Sequence, residues 1–139
     1  MNGKRIIQTG RTRGTAFKHV ARVRLEDAAV LLGKNRFSGA IYLAGYAVEC
    51  LLKWAVTEHR ECIYLPAELE IHILQTLLQE AGLQPWLRRH VKLETAFCGL
   101  SKSWGPKLRY LTKEPEPKHA KRLYEQIVEV YDWIAEQKI

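Results

Sequence analysis

Arg36-Phe37-Ser38-Gly39-Ala40-Ile41-Tyr42-Leu43-Ala44-Gly45-Tyr46-Ala47-Val48-Glu49-Cys50-Leu51-Leu52-Lys53-Trp54-Ala55 decides the fold of this chain. Ala40, Leu43, Ala44, Ala47, Val48, Leu51, Leu52 and Ala55 recur at i, i+3, i+4, i+7, the period of a helix. Ile41, Cys50 and Trp54 widen the apolar surface almost all round, and a helix of that kind is normally the central one. Ser38 is placed to cap it, giving a helix over Ser38–Thr57 that ends in water at Glu58-His59-Arg60-Glu61. Gly39, Ala40, Ala44, Gly45 and Ala47 are small enough to let neighbouring helices approach closely.

At about 100° per residue, with Glu49 at zero, Tyr42 falls near 20°, Lys53 near 40° and Tyr46 near 60°. Four polar-capable side chains thus share one narrow wedge of a hydrophobic helix. Glu49 and Lys53 have the favourable i, i+4 order for an ion pair. Three readings of the wedge stand side by side. It is the solvent-facing edge with an ordinary surface pair, the lining of a cleft for a polar ligand, or a homodimer seam anchored by tyrosines.

Amphipathic helices flank this one. Thr15 caps a helix that carries Phe17, Val20, Ala21, Leu25, Ala28, Leu31 and Leu32 and stops at Gly33. After Pro66, a third helix over Ala67–Ala81 turns Leu74, Leu77 and Leu78 inward and breaks at Gly82. Pro85 opens a fourth, with Trp86, His90, Leu93, Phe97 and Leu100 at helical spacing. Ser101–Pro117 reads as a long connection, and long loops in small domains are often functional. The last helix, Lys118–Gln137, has a clean inner stripe of Ala120, Leu123, Tyr124, Ile127, Val128, Tyr131 and Ile134. The fold class is therefore all-α, a four- or five-helix bundle.

The 139 residues fit one domain: a flexible basic arm over 1–14, then the bundle over 15–139. Apolar residues make up 47% of the chain, enough for a real core. No run approaches the roughly 18 apolar residues of a membrane span, and the N-terminus lacks the apolar stretch of a signal peptide. A cytoplasmic protein without a membrane partner is expected. The net charge of +7 is unevenly placed. Lys4, Arg5, Arg11, Arg13, Lys18, Arg22 and Arg24 all precede the first acid, Glu26, and beyond them bases and acids balance. Arg5, Arg11 and Arg13 on the arm are candidate contacts for phosphate backbones or other polyanions. Cys50, Cys62 and Cys98 are odd in number and widely spaced, so neither a disulfide framework nor a four-ligand zinc site is encoded. His59 and Cys62 have ligand spacing but no matching second pair. No metal and no cofactor are expected.

The Arg36–Lys53 stretch resembles the second helix of the HEPN domain (higher eukaryotes and prokaryotes nucleotide-binding), an R-x-x-G-A-x-Y-x-A-G-Y-A-x-E-x-x-L-K-like segment. His72 followed by Leu74, Leu77, Leu78, Ala81, Gly82 and Leu83 is similar to that family's H-x-L-x-x-L-L-x-x-A-G-L helix. Trp104 with Leu108-Arg109-Tyr110 is similar to its W-x-x-x-x-R-Y loop. Glu26–Leu32 and Trp133-Ile134 extend the likeness over residues 15–138. The resemblance implies an up-and-down bundle, commonly a homodimer, often paired with a minimal nucleotidyltransferase as a toxin–antitoxin system.

Many HEPN proteins are metal-independent RNases with an Arg-x(4–6)-His motif at the dimer interface. Histidine there is the acid/base and arginine stabilises the anionic transition state. Here the only match is Arg13 to His19, in the leader and first helix rather than on a later helix. The RNase activity is therefore not carried over from the motif. His72 and Arg109 are the catalytic candidates, through a cluster with the helix wedge; the plain reading of Arg109 is a salt bridge to Glu49. Tyr42, Tyr46, Glu49, Lys53 and Tyr110 are the ligand-binding candidates. The expected function is a nucleotide- or RNA-binding component working with a nucleotidyltransferase. A metal-independent RNase toxin with a non-standard site, and a non-catalytic dimeric adaptor, are the alternatives.

Overall fold

The computed structural model describes residues 12–137. Arg5, Arg11 and the rest of the arm to residue 11 lie outside the described residues. Among the described residues six α-helices follow one another: α1 (Gly14–Gly33), α2 (Phe37–His59), α3 (Leu74–Glu80), α4 (Gln84–Leu87), α5 (Val91–Ser103) and α6 (Pro117–Glu136). Single 3-10 segments lie at Ala67–Leu69 and Pro106–Tyr110. Among the described residues the one extended pairing is an isolated antiparallel bridge between Arg13 and Tyr64.

α2 is the hub. α1, α3 and α6 pack mainly on it, and α5 packs on α6. Every residue from Ala47 to Thr57 is buried. Leu51, Leu52, Leu77, Leu78, Phe97, Ile127 and Ile134 are essentially inaccessible, each such side chain stabilising by about 1.5–3 kcal/mol relative to exposure. By length and mean hydropathy (1.2) α2 would cross a bilayer, against the sequence expectation that no segment qualifies, yet 72% of that window is buried among other helices.

Several element boundaries differ from the sequence expectation, each for a local reason. α1 begins at Gly14, with Arg13 as N-cap residue and no side-chain cap, so Thr15 does not cap it. The backbone there is held instead by the loop after α2. Gly14 N–H donates to Ile63 O at 2.9 Å, and Leu65 N–H donates to Thr12 O at 3.1 Å. Thr12–Gly14 is thus part of the fold. A Cβ at position 14 would overlap the Thr57 side chain, so α1 can start this close to α2 only with glycine.

Ser38 likewise does not cap its own helix. Its N–H donates to Glu114 Oε1 (3.0 Å) and its hydroxyl to Lys113 O (3.2 Å), so α2 is capped by a carboxylate 76 residues away. Glu116 accepts from the N–H groups of Lys118 and His119 and lets α6 begin at Pro117. A carboxylate at a helix N-terminus is favoured by both hydrogen bonding and the macrodipole.

The helices end more uniformly than they begin. Past α1, Asn35 is left-handed (φ 60°), its N–H donates to Leu32 O, and Arg36 N–H donates to Leu31 O. Glu61 (φ 54°) ends α2 and Gly82 (φ 73°) ends α3 with the same pair of bonds. This is the Schellman arrangement. Gly33 closes α1, but the left-handed residue is Asn35.

The expected third and fourth helices are each interrupted. Residues 70–73 leave helical geometry between the 3-10 turn and α3, which swings His72 toward α2. Arg88–His90 separate α4 from α5, and the His90 ring lies edge-on to Trp133 at 6.0 Å. The long connection is mostly structured: α5 continues to Ser103 and Pro106–Tyr110 is a 3-10 segment.

Candidate functional site

Glu49 sits in the middle of α2, 1% exposed, with both carboxylate oxygens engaged. Oε2 accepts from Lys53 Nζ at 2.9 Å. Oε1 lies 2.9 Å from His72 Nδ1. Lys53 is 6% exposed, and its ammonium also faces the Phe17 ring of α1 at 5.6 Å. The reading of an exposed edge with an ordinary surface pair is therefore overturned, because both side chains are buried, with Phe17 of α1 against Lys53 and His72, from the segment before α3, against Glu49. A buried carboxylate without a cation would be several kcal/mol unfavourable; the i, i+4 lysine supplies the charge and His72 the remaining hydrogen bond.

The His72 contact has a chemical consequence. A carboxylate paired to an ammonium can only accept, so His72 Nδ1 carries the hydrogen and donates it. The ring tautomer and orientation are set by that bond, and Nε2 is left as the available nitrogen. The side chain is 56% exposed, so an outside molecule can reach it. A histidine oriented by a carboxylate behind it is the arrangement that general acid/base chemistry uses.

Toward the N-terminal end of α2 the same wedge carries aromatics. Tyr42 and Tyr46 stack with centroids 6.4 Å apart, and Trp104 stacks on Tyr42 at 5.9 Å. Trp104 Nε1–H donates to the Tyr42 carbonyl at 3.1 Å. The indole reaches that depth because position 45 is glycine; a Cβ there would overlap its ring. Trp104 also walls an apolar cavity of about 440 Å³ lined by Ile41, Leu100, Leu108, Leu111 and Leu123, with His119 among its lining residues. Cavities of that size and lining are typical of small-ligand sites.

Burial pushes the Tyr46 hydroxyl up to about 12, with the neighbouring Cys50 and Glu49 adding to it. It is therefore a neutral hydrogen-bonding group. Burial likewise pushes the Cys50 thiol up to about 11, which suits a small core residue rather than a nucleophile. All three cysteines are free. Among the described residues no three His, Cys, Asp or Glu side chains converge as a metal site would require.

The remaining candidates lie apart. Arg109 does not bridge to Glu49, whose oxygens are already taken. Its Nε–H donates to Pro106 O at 3.1 Å and its guanidinium lies 5.6 Å over the exposed Tyr110 ring. The expected cluster of His72 and Arg109 with the wedge reduces to His72 with Glu49 and Lys53. Arg13 lies over the Tyr64 ring at 5.5 Å, and His19 pairs with Arg22 of its own helix. The Glu114 and Glu116 caps and the Gly45–Trp104 contact were invisible to periodicity. A carboxylate directly before the Pro117-Lys118 helix start was the one available signal for Glu116.

No protein-family model, curated protein or solved structure matches the chain.

Proposed function

We propose that this chain is a HEPN-like, up-and-down helical domain that dimerises and binds a nucleotide or RNA in the cytoplasm. It works beside a nucleotidyltransferase in a toxin–antitoxin-type pair. The observation that carries the reading is convergence. Residues that bear the family likeness in three separate stretches of sequence meet on one face of α2. Glu49 meets His72, and Tyr42 with Gly45 meets Trp104. Stacked aromatic rings beside hydrogen-bonding groups suit bases, whose faces are recognised by stacking. The exposed Tyr110 and Leu111 at the end of this region supply apolar surface for a second copy.

The His72–Glu49 pair favours a second reading, the metal-independent RNase. In it His72 Nε2 moves the proton of the attacking or leaving oxygen, and Glu49 holds the ring. Among the described residues no arginine contacts the pair to stabilise a phosphorane-like charge, so binding stands ahead of cleavage.

The test is a labelled single-stranded RNA incubated with the purified full chain in the presence of a chelator. Binding without cleavage, weakening as salt rises, is the expected result. Cleavage abolished by His72→Ala would replace the binding reading with the RNase one. A stable dimer with neither activity would leave only an adaptor. Co-expression with the product of the adjacent gene tests the pairing, which fails if that product is not a nucleotidyltransferase or does not co-purify.

A further inference from the structure

α1 and α6 both pack on α2 and touch each other far less, so a cleft runs between them. Its volume is about 370 Å³. Thr15, Lys18, His19 and Arg22 form one wall, and Leu51, Tyr131 and Ala135 form the floor and the opposite side. The wall residues sit at i, i+3, i+4 and i+7, so one face of α1 presents them all together.

The cleft carries unpaired positive charge set directly over an apolar and aromatic floor. Arg24, two residues past Arg22, pairs with Asp27, and Arg60 pairs with Glu80. Among the described residues neither Lys18 nor Arg22 has a carboxylate within 4 Å. Asp132 and Glu26 act on the Tyr131 hydroxyl, as does Arg22, but neither acid pairs with a cleft cation. The Lys18 ammonium rests 4.3 Å above the Trp54 ring, which steadies a cation without neutralising it. Arg22 Nη2 lies 3.3 Å from His19 Nδ1. The guanidinium can only donate, so His19 accepts at Nδ1 and carries its hydrogen at Nε2. The wall is thus a row of donors: a hydroxyl, an ammonium, an imidazole N–H and a guanidinium. Apart from the Arg22–His19 contact, no hydrogen bond or ion pair engages these groups among the described residues.

A row of donors with net positive charge above an apolar and aromatic floor is complementary to phosphate joined to a flat, weakly polar body. Single-stranded nucleic acid repeats that unit, and proteins that hold it combine a cationic track with aromatic side chains. The cleft also continues the charge of the preceding sequence, where Lys4, Arg5, Arg11 and Arg13 stand with no acid among them. The geometry points to the α1–α6 cleft as a phosphodiester-backbone site for single-stranded nucleic acid, separate from the Glu49–His72 face of α2. It deepens the nucleic-acid reading above and rests on it. Lys18 and Arg22 take phosphate oxygens, Thr15 and His19 Nε2–H donate to the same or the adjoining group, and Tyr131 lies under a base or sugar.

The test uses the full chain with fluorescently labelled single strands of RNA and of DNA of one sequence, followed by anisotropy over a range of salt concentrations. The double variant Lys18→Gln/Arg22→Gln is compared with Lys107→Gln/Lys121→Gln, which removes the same charge from other exposed positions. The cleft variant is expected to bind about tenfold or more weakly, and its log–log salt slope to fall by about 1.4, since each lost phosphate contact on a single strand removes about 0.7. The control pair is expected to stay within about twofold of the parent. RNA and DNA must be weakened alike, because the phosphate is common to both; a loss confined to one overturns a backbone site. If the parent binds and the two pairs behave identically, the cleft is not the site while the nucleic-acid reading stands. If the parent binds no strand of either kind, both fall. Equal melting temperatures for the two variants separate lost contacts from lost structure.

Discussion

The α2 wedge and the α1 face handle charge in opposite ways. In the wedge, Glu49 and Lys53 are buried together, the largely exposed His72 reaches in to Glu49, and each charge is answered within 2.9 Å. On α1, Lys18, His19 and Arg22 line an open cleft, and among the described residues no acid pairs with them. Buried and compensated charge acts through geometry: it sets the tautomer of His72 and the registry of α2 against the segment before α3. Open and uncompensated charge acts through its field, attracting anions from solution. One region is built to aim a group and the other to collect a ligand.

The largest expected effect comes from breaking the compensation. Glu49→Ala leaves a buried ammonium without its carboxylate and should destabilise the fold by about 3–5 kcal/mol in urea unfolding. Lys18→Gln with Arg22→Gln should cost less than about 1 kcal/mol, since exposed substitutions rarely do more. Equal losses for the two would erase the distinction between the regions.

Close packing sharpens the contrast at the next level. Gly45→Ala on α2 forces Trp104 off its seat over Tyr42 and should cost about 1–3 kcal/mol as an overpacking change. It should also shift tryptophan fluorescence. Gly33→Ala on α1 meets nothing within 4 Å and should be neutral or stabilise by up to about 1 kcal/mol, through helix propensity. Melting temperatures of the two variants check the pair.

The smallest effect is a titration. Burial raises the Cys50 thiol from its ordinary value to about 11. The native chain therefore keeps a proton that the unfolded chain releases, and stability that is complete below pH 9 declines as pH rises from 9 toward 11. Native alkylation at pH 8 should modify the half-buried Cys62 and Cys98 well before Cys50, as peptide mapping would reveal. Early labelling of Cys50 would mean that the wedge is open.

Much of the architecture could be read without coordinates. The long apolar period from Ala40 to Ala55 marked the central helix, and α1 and α6 followed from stripes strong enough to outweigh local detail. The shorter elements were less legible. A 3.6-residue period persists across Glu70–Ile73 and Arg88–His90, yet in both places the chain leaves the helix to satisfy a tertiary contact, with Glu49 in one case and Trp133 in the other. Of the candidate site, the wedge itself was visible as an angular cluster. Its burial was not, since a polar stripe on a central helix looks the same whether it meets water or another helix.

What the amino-acid order determined alone is local and periodic: an all-helical chain, the identity of its core helix, the i, i+4 spacing of Glu49 and Lys53, and a basic excess confined to the first 24 residues. Each follows from backbone geometry acting over a few neighbours. The tertiary structure decided which charges are answered. His72 reaches Glu49 across 23 residues, Glu114 caps α2 across 76, and Arg109 stays with its own loop. Desolvation and hydrogen bonding depend on which surfaces meet, and that is settled only when the helices pack.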